Sequence, residues 1–269
     1  MSNRPIGVFD SGLGGLTVLK EIKKILPNED IVYFGDTARV PYGPRSKEAV
    51  KKYTFQAINF LMEKDVKAIV IACNTATARA LSEAKEQYDI PIIGVIEAGA
   101  RTAAYTTKNN IVGVIGTDGT IRSKAYEREI AKINKDIKIV DKACPLFVPI
   151  AEEGWANNEV AKLTAKIYLE ELINKDIDCL VLGCTHYPIL MRTIGETVGE
   201  KIILVNPAKE TAKDLKKTMQ EKNILNNTQR TQAKYEYYVS DIPDKFYVIA
   251  KEFIDQDIEN VEKIEIQKY

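Results

Sequence analysis

Four cysteines, Cys73, Cys144, Cys179 and Cys184, and a single histidine, His186, are the residues of this 269-residue chain whose types most invite chemistry. Two of the cysteines share a local design. Ile69-Val70-Ile71-Ala72-Cys73-Asn74-Thr75 and Leu180-Val181-Leu182-Gly183-Cys184-Thr185-His186 each run from an apolar strand pattern through a small residue to cysteine, and then to polar residues that include a hydroxyl. Where a strand feeds a helix N-terminus, the helix dipole and free amides lower a thiol pKa from about 8.5, so thiolate is favoured at both positions. The bland alternative is that both pack as small core residues, as a lone cysteine commonly does. Their matched placement favours chemistry. Cys144, ahead of Pro145, and Cys179, opening a strand, have no such setting and are read as structural.

Other uses of thiols fit less well. Zinc needs three or four ligands at workable spacing, whereas the chain has no CxxC and one histidine, so no metal site is expected. A redox disulfide between Cys73 and Cys184 lacks the same CxxC. No lysine stands in a pyridoxal phosphate setting, and neither a Ser-His-Asp order nor a nucleophile elbow can be read. Asp10-Ser11-Gly12-Leu13-Gly14-Gly15-Leu16-Thr17 follows a strand and opens a helix, yet the third glycine of a dinucleotide fingerprint falls on Thr17. What remains there is a tight backbone with a carboxylate and a hydroxyl, suited to a small polar ligand, or an Asp10 that only caps the helix.

Two further segments end strands in the same manner. Gly35-Asp36-Thr37-Ala38-Arg39-Val40-Pro41-Tyr42-Gly43-Pro44 is a turn-rich stretch stiffened by proline, and Thr117-Asp118-Gly119-Thr120 offers hydroxyls and amides to a carboxylate. The acid–base equipment is therefore two thiols, helped by Asp10, Glu152 and His186. Two bases on opposite faces of one carbon suit a reaction in which a thiolate removes an α-proton while a thiol delivers a proton to the other face, inverting the stereocentre. The α-proton of an amino acid is weakly acidic, so such a site must stabilise carbanionic character with hydrogen bonds and exclude water.

The elements that must position these groups alternate in the βαβ manner. Strand candidates are Ile6 to Phe9, Ile31 to Phe34, Ala68 to Cys73, Ile92 to Ile96, Ile111 to Ile115, Ile137 to Val140, Cys179 to Gly183 and Ile202 to Val205, apolar throughout as strands covered on both faces should be. Leu16, Leu19, Ile22, Ile25 and Leu26 mark one helical stripe, and Val50, Phe55, Ile58, Phe60 and Leu61 another. Asn206-Pro207 reads as an N-cap and first turn. Asn223 to Lys234 reads as a surface loop, Tyr235 to Val239 as a late strand, and the last nineteen residues as a solvated helix with a short strand.

With 45% apolar residues, 28% charged residues and 38 basic against 38 acidic side chains, the chain is a globular protein with no global field for nucleic acid or an anionic membrane. No apolar run approaches the ~20 residues of a membrane span, and no secretory signal is read, so a reducing cytoplasm is expected. Its length suits two domains.

Taken in order, Asp10-Ser11-Gly12, Pro41-Tyr42-Gly43, Cys73-Asn74-Thr75 and Cys184-Thr185-His186 closely resemble the motifs of the glutamate racemase family, from Ile6 through Pro207. The resemblance implies a cofactor-independent racemase that interconverts L- and D-glutamate and supplies D-glutamate for peptidoglycan. Cys73 and Cys184 would be the paired acid and base, assisted by Asp10, His186 and Glu152. Substrate contacts would fall on Asp10, Ser11, Tyr42, Gly43, Asn74, Thr75, Thr117, Thr120, Thr185 and His186. It further implies an α/β fold of two pseudo-symmetric domains, each a mostly parallel sheet flanked by helices with the active site between them, divided as residues 1–97 with 208–269 and residues 98–207. A homodimer is implied as well. Ile96-Glu97-Ala98-Gly99 has alanine where relatives often carry proline, at the crossing between domains. Related aspartate racemases usually have an acidic residue where this chain has His186, which favours glutamate over aspartate; a non-enzymatic amino-acid-binding protein is the other alternative.

Overall fold

The computed structural model describes residues 3–226, 233–242, 246, 247, 250, 251, 253, 258 and 260–269. Its first half alternates β1 (Ile6–Asp10), α1 (Leu16–Ile25), β2 (Ile31–Gly35), α2 (Lys47–Glu63), β3 (Ala68–Ile71), α3 (Asn74–Gln87) and β4 (Ile92–Gly94), after which α4 (Val95–Thr106) crosses to the second half. There β5 (Ile111–Gly116), α5 (Asp118–Ser123), α6 (Ala125–Ala131), β6 (Lys138–Ala143), α7 (Phe147–Glu152), α8 (Glu159–Ile173), β7 (Cys179–Gly183), α9 (Met191–Val198) and β8 (Ile203–Val205) follow. The chain returns through α10 (Pro207–Glu221) to β9 (Tyr235–Val239) and β10 (Val261–Lys263).

Two parallel sheets result, one in the order β10-β9-β2-β1-β3-β4 and the other β6-β5-β7-β8. Strands β1, β2, β3 and β7 are buried along their length, and helices cover both faces. On α1, Leu16, Leu19 and Ile22 recur at helical spacing and are completely buried, each worth about 1.5–3 kcal/mol of transfer free energy. The sheets repeat one plan. β3, which leads to Cys73, pairs with β1, and β7, which leads to Cys184, pairs with β5. Each cysteine thus lies beside the exit of its sheet's opening strand, the Asp10-Ser11 turn in one and Thr117 in the other.

Several boundaries move. β3 ends at Ile71 and Cys73 becomes the N-cap of α3, while the apolar run from Ile92 splits into β4 and the start of α4 at Val95. An apolar strand that leads into an apolar helix leaves no change of composition to mark the join. β6 is displaced to Lys138–Ala143, a half-exposed edge strand. Ala98 is buried within an uninterrupted α4, so the crossing is one continuous helix without proline. The late strand forms as β9, but the tail is not a solvated appendage: Phe253, Ile258 and Ile266 are buried. Residues 227–232 of the expected surface loop and Ile254 lie outside the described residues.

Candidate active site

Apart from Glu152, which ends α7, the residues singled out for catalysis and substrate contact gather at the carboxyl ends of β1, β3, β5 and β7 or on loops that reach them, where open parallel sheets present ligand sites. Cys73 caps α3, and its thiol donates to Ser11 Oγ at 3.2 Å. Burial pushes this thiol up to about 12, reinforced by the Asp10 charge, against the smaller opposing pull of Ser11 and the Ala76 amide. Cys73 is therefore a resting thiol, which corrects the expectation from the helix terminus. Desolvation of a cysteine with 5% exposure outweighs the hydrogen bonds that the start of the helix offers its thiol.

Cys184 departs from expectation differently. No α-helix starts there; the backbone turns, with the Tyr187 amide donating to the Cys184 carbonyl at 3.1 Å, into a four-residue 3-10 helix. Its electrostatic partner is a side chain instead. His186 Nδ1 lies 3.8 Å from Cys184 Sγ, and His186 Nε2 lies 3.0 Å from Glu152 Oε1 on α7. Burial opposes charge on this ring, but bonding to Cys184 and Glu152 prevails and raises its pKa to about 10. An imidazolium against the sulphur stabilises negative charge there. The two thiols are near enough that charge on Cys184 adds to the rise at Cys73.

Asp10 is completely buried; its Oδ2 accepts from the Gly12 amide at 2.9 Å and its Oδ1 from the Thr185 hydroxyl at 3.3 Å. Burial raises its carboxyl pKa against the lowering influence of His186 and these donors. It does not cap α1, whose N-cap is Gly15. Further bonds join the two halves. Thr75 Oγ1 lies 2.7 Å from Thr117 Oγ1 and 3.3 Å from Thr120 Oγ1, Thr17 donates to the Thr185 carbonyl at 3.0 Å, and Tyr126 donates to Asn74 Oδ1 at 2.7 Å. Tyr42 donates to Asp36 Oδ2, and Gly43 lies so close to the second half that a Cβ there would come within 2.8 Å of Thr117 Cβ.

The expected residues thus converge from both sheets, with Glu152 at the edge of the cluster and reaching it through His186. Three positions were not singled out. Gly14 brings its backbone against the Cys184 loop, Asp36 holds Tyr42, and Tyr126 holds Asn74. The glycine density around Gly14 signals a tight backbone, but nothing local in the sequence tells Tyr126 from an ordinary core aromatic. Cys144 and Cys179 are fully buried, and all four cysteines are free. Among the described residues no three His, Cys, Asp or Glu side chains are gathered to hold a metal, and no helix is long and apolar enough to cross a membrane.

Residues 6–215 match the family model described as Asp/Glu/hydantoin racemase. The chain belongs to that family. Membership makes it an isomerase of the racemase type, and the matched span contains every residue of the cluster. This family member is 51% identical to the glutamate racemase of Geobacter metallireducens over 264 residues, covering 98% of this chain and 97% of that one. It is 49% identical to the glutamate racemase of Thermoanaerobacter pseudethanolicus, with both chains covered completely. Its fold matches the glutamate racemase of Francisella tularensis, solved in complex with D-glutamate, with a TM-score of 0.94, 42% identity and full coverage of both chains. Two-domain α/β architecture is common to this racemase and its solved relatives.

Proposed function

We propose that this racemase interconverts L- and D-glutamate without pyridoxal phosphate, with Cys73 and Cys184 as acid and base on opposite faces of the α-carbon. The observation that carries the reading is that each sheet delivers one cysteine from the same strand position into one interdomain cluster. The order of transfers follows from their surroundings: burial holds the proton on Cys73, and Cys184, whose sulphur lies 3.8 Å from His186 Nδ1, is the base that opens the reaction. The Cys184 thiolate takes the α-proton of one enantiomer and becomes a thiol. The electron pair stays on the α-carbon and takes the Cys73 proton from the other face, leaving Cys73 as thiolate. The opposite enantiomer runs these transfers in reverse and restores the resting pair.

Asp10 and His186 assist Cys73 and Cys184 respectively, and Glu152 keeps His186 charged. Ser11, Tyr42, Gly43, Asn74, Thr75, Thr117, Thr120 and Thr185 contribute hydroxyls and amides from both halves, a donor set suited to two carboxylates and a developing carbanion. The halves divide as residues 1–97 with 208–269 and residues 98–207. A homodimer in the cytoplasm, where thiols stay reduced, completes the reading, with D-glutamate supplied to peptidoglycan. Loss of circular dichroism from L-glutamate and from L-aspartate, each with purified protein and no added cofactor, is the test. Racemisation of glutamate well above aspartate is expected; activity on aspartate alone would move the substrate assignment, and binding of glutamate without change of rotation would make the protein a binding protein.

A further inference from the structure

Tyr126 is an aromatic residue of the second half whose hydroxyl meets the first. It is 3% exposed, lies in α6, and its hydroxyl donates to Asn74 Oδ1, a bond between positions 52 residues apart. Two glycines make its place. A Cβ on Gly183, the residue before Cys184, would come within 3.0 Å of the Tyr126 ring, and one on Gly99 of α4 within 3.1 Å. Tyr126 therefore lies against the strand end that carries Cys184 and bonds to the residue that follows Cys73.

An asparagine amide has an accepting and a donating end, and a buried one is useful only when its orientation is fixed. A neutral tyrosine hydroxyl that donates to Oδ1 turns the donating NH2 away from itself. Burial, with negative charge on Cys184, raises the Tyr126 pKa, so the hydroxyl keeps the proton this requires. Asn74 also lines a small cavity together with Cys184, Thr185 and Pro207. We infer that Tyr126 is a positioning residue of the racemase site, setting the Asn74 amide so that its NH2 donates to the anionic substrate. The inference rests on the proposed racemisation of glutamate.

Tyr126→Phe removes one oxygen and keeps the ring that fills the space beside Gly183 and Gly99. The expected result is a kcat/KM for glutamate about tenfold lower in both directions, carried mainly by KM, the size of one lost hydrogen bond to a charged substrate. In an Asn74→Ala background the same change has no further effect. Asn74→Asp, which still accepts from Tyr126 but replaces the donor with an anion, raises KM about a hundredfold or more; it decides the matter should Tyr126→Phe not fold. Wild-type kcat/KM in Tyr126→Phe, equal losses with and without Asn74, or an unchanged KM in Asn74→Asp would each overturn the inference. Absence of racemisation in the wild type would overturn the functional reading itself, so the two failures are distinct.

Discussion

His186 bridges Cys184 and Glu152, its Nδ1 3.8 Å from the sulphur and its Nε2 3.0 Å from a carboxylate oxygen. The side chain is 3% exposed, so its charge depends on these two partners rather than on water. The second half thereby holds a cation at its cysteine, whereas the first half has Asp10 near Cys73, where its charge favours thiol. Two strand ends of one design are opposite in electrostatics, and on the Cys73 side burial and Asp10 keep the proton on sulphur.

Replacement of Glu152 by Gln keeps the shape and removes the anion. Because the folded pKa of His186 is raised from 6.5 to about 10, its stabilising contribution is complete below pH 6.5 and is lost as pH rises through about 10. Glu152→Gln should flatten that decline, seen by denaturant unfolding across this range, and lower kcat roughly a hundredfold by weakening the charge opposite Cys184. An unchanged pH dependence of stability would show that Glu152 does not hold the His186 proton.

Gly14 has no room for a side chain. A Cβ there would overlap Thr185 Oγ1 and stand 2.5 Å from His186 Nδ1, displacing the loop that carries Cys184. Gly14→Ala should cost about 1–3 kcal/mol of stability and most of the racemase activity. Thermal melting and a polarimetric assay on the same sample separate the two, and retained activity would mean that the loop tolerates the shift.

Asp10→Asn preserves an acceptor for Gly12 or Thr185 while removing the carboxylate beside Cys73. If Asp10 assists proton transfer at that thiol, kcat falls about a hundredfold with the fold intact. A loss confined to KM would reduce Asp10 to a substrate contact.

The cysteines should also differ in reactivity. Cys73 and Cys184 retain 5% and 6% exposure, whereas Cys144 and Cys179 have none. Alkylation of the native protein, mapped by mass spectrometry, should reach Cys73 and Cys184 before the other two, and glutamate should protect both. Earlier labelling of Cys144 or Cys179 would contradict the assignment of roles.

Much of this organisation was legible in the residues. The echo between the Cys73 and Cys184 segments placed both at strand ends, and the apolar runs gave eight of the strands with shifts of a few residues at most. Charge states were not legible. A helix terminus argues for thiolate at Cys73, but only the packing shows how completely that sulphur is desolvated and that Asp10 stands near it. Contacts between halves were hidden for the same reason: Tyr126 and Asn74 are far apart in sequence, and a tyrosine near the start of a short helix has no local mark that distinguishes it from core. The buried tail escaped because Phe253, Ile258 and Ile266 are spread among charged residues, the first two joining one core cluster and Ile266 another.

The central claim is that two thiols work as one pair, and it is tested most directly by incubating L-glutamate in deuterium oxide, without pyridoxal phosphate, with the wild type, Cys73→Ala and Cys184→Ala. The wild type should racemise the substrate and place solvent deuterium on the α-carbon of the D-glutamate it forms. Each variant should lose at least about a thousandfold in racemisation rate. Full racemisation by either single variant would contradict the two-thiol account.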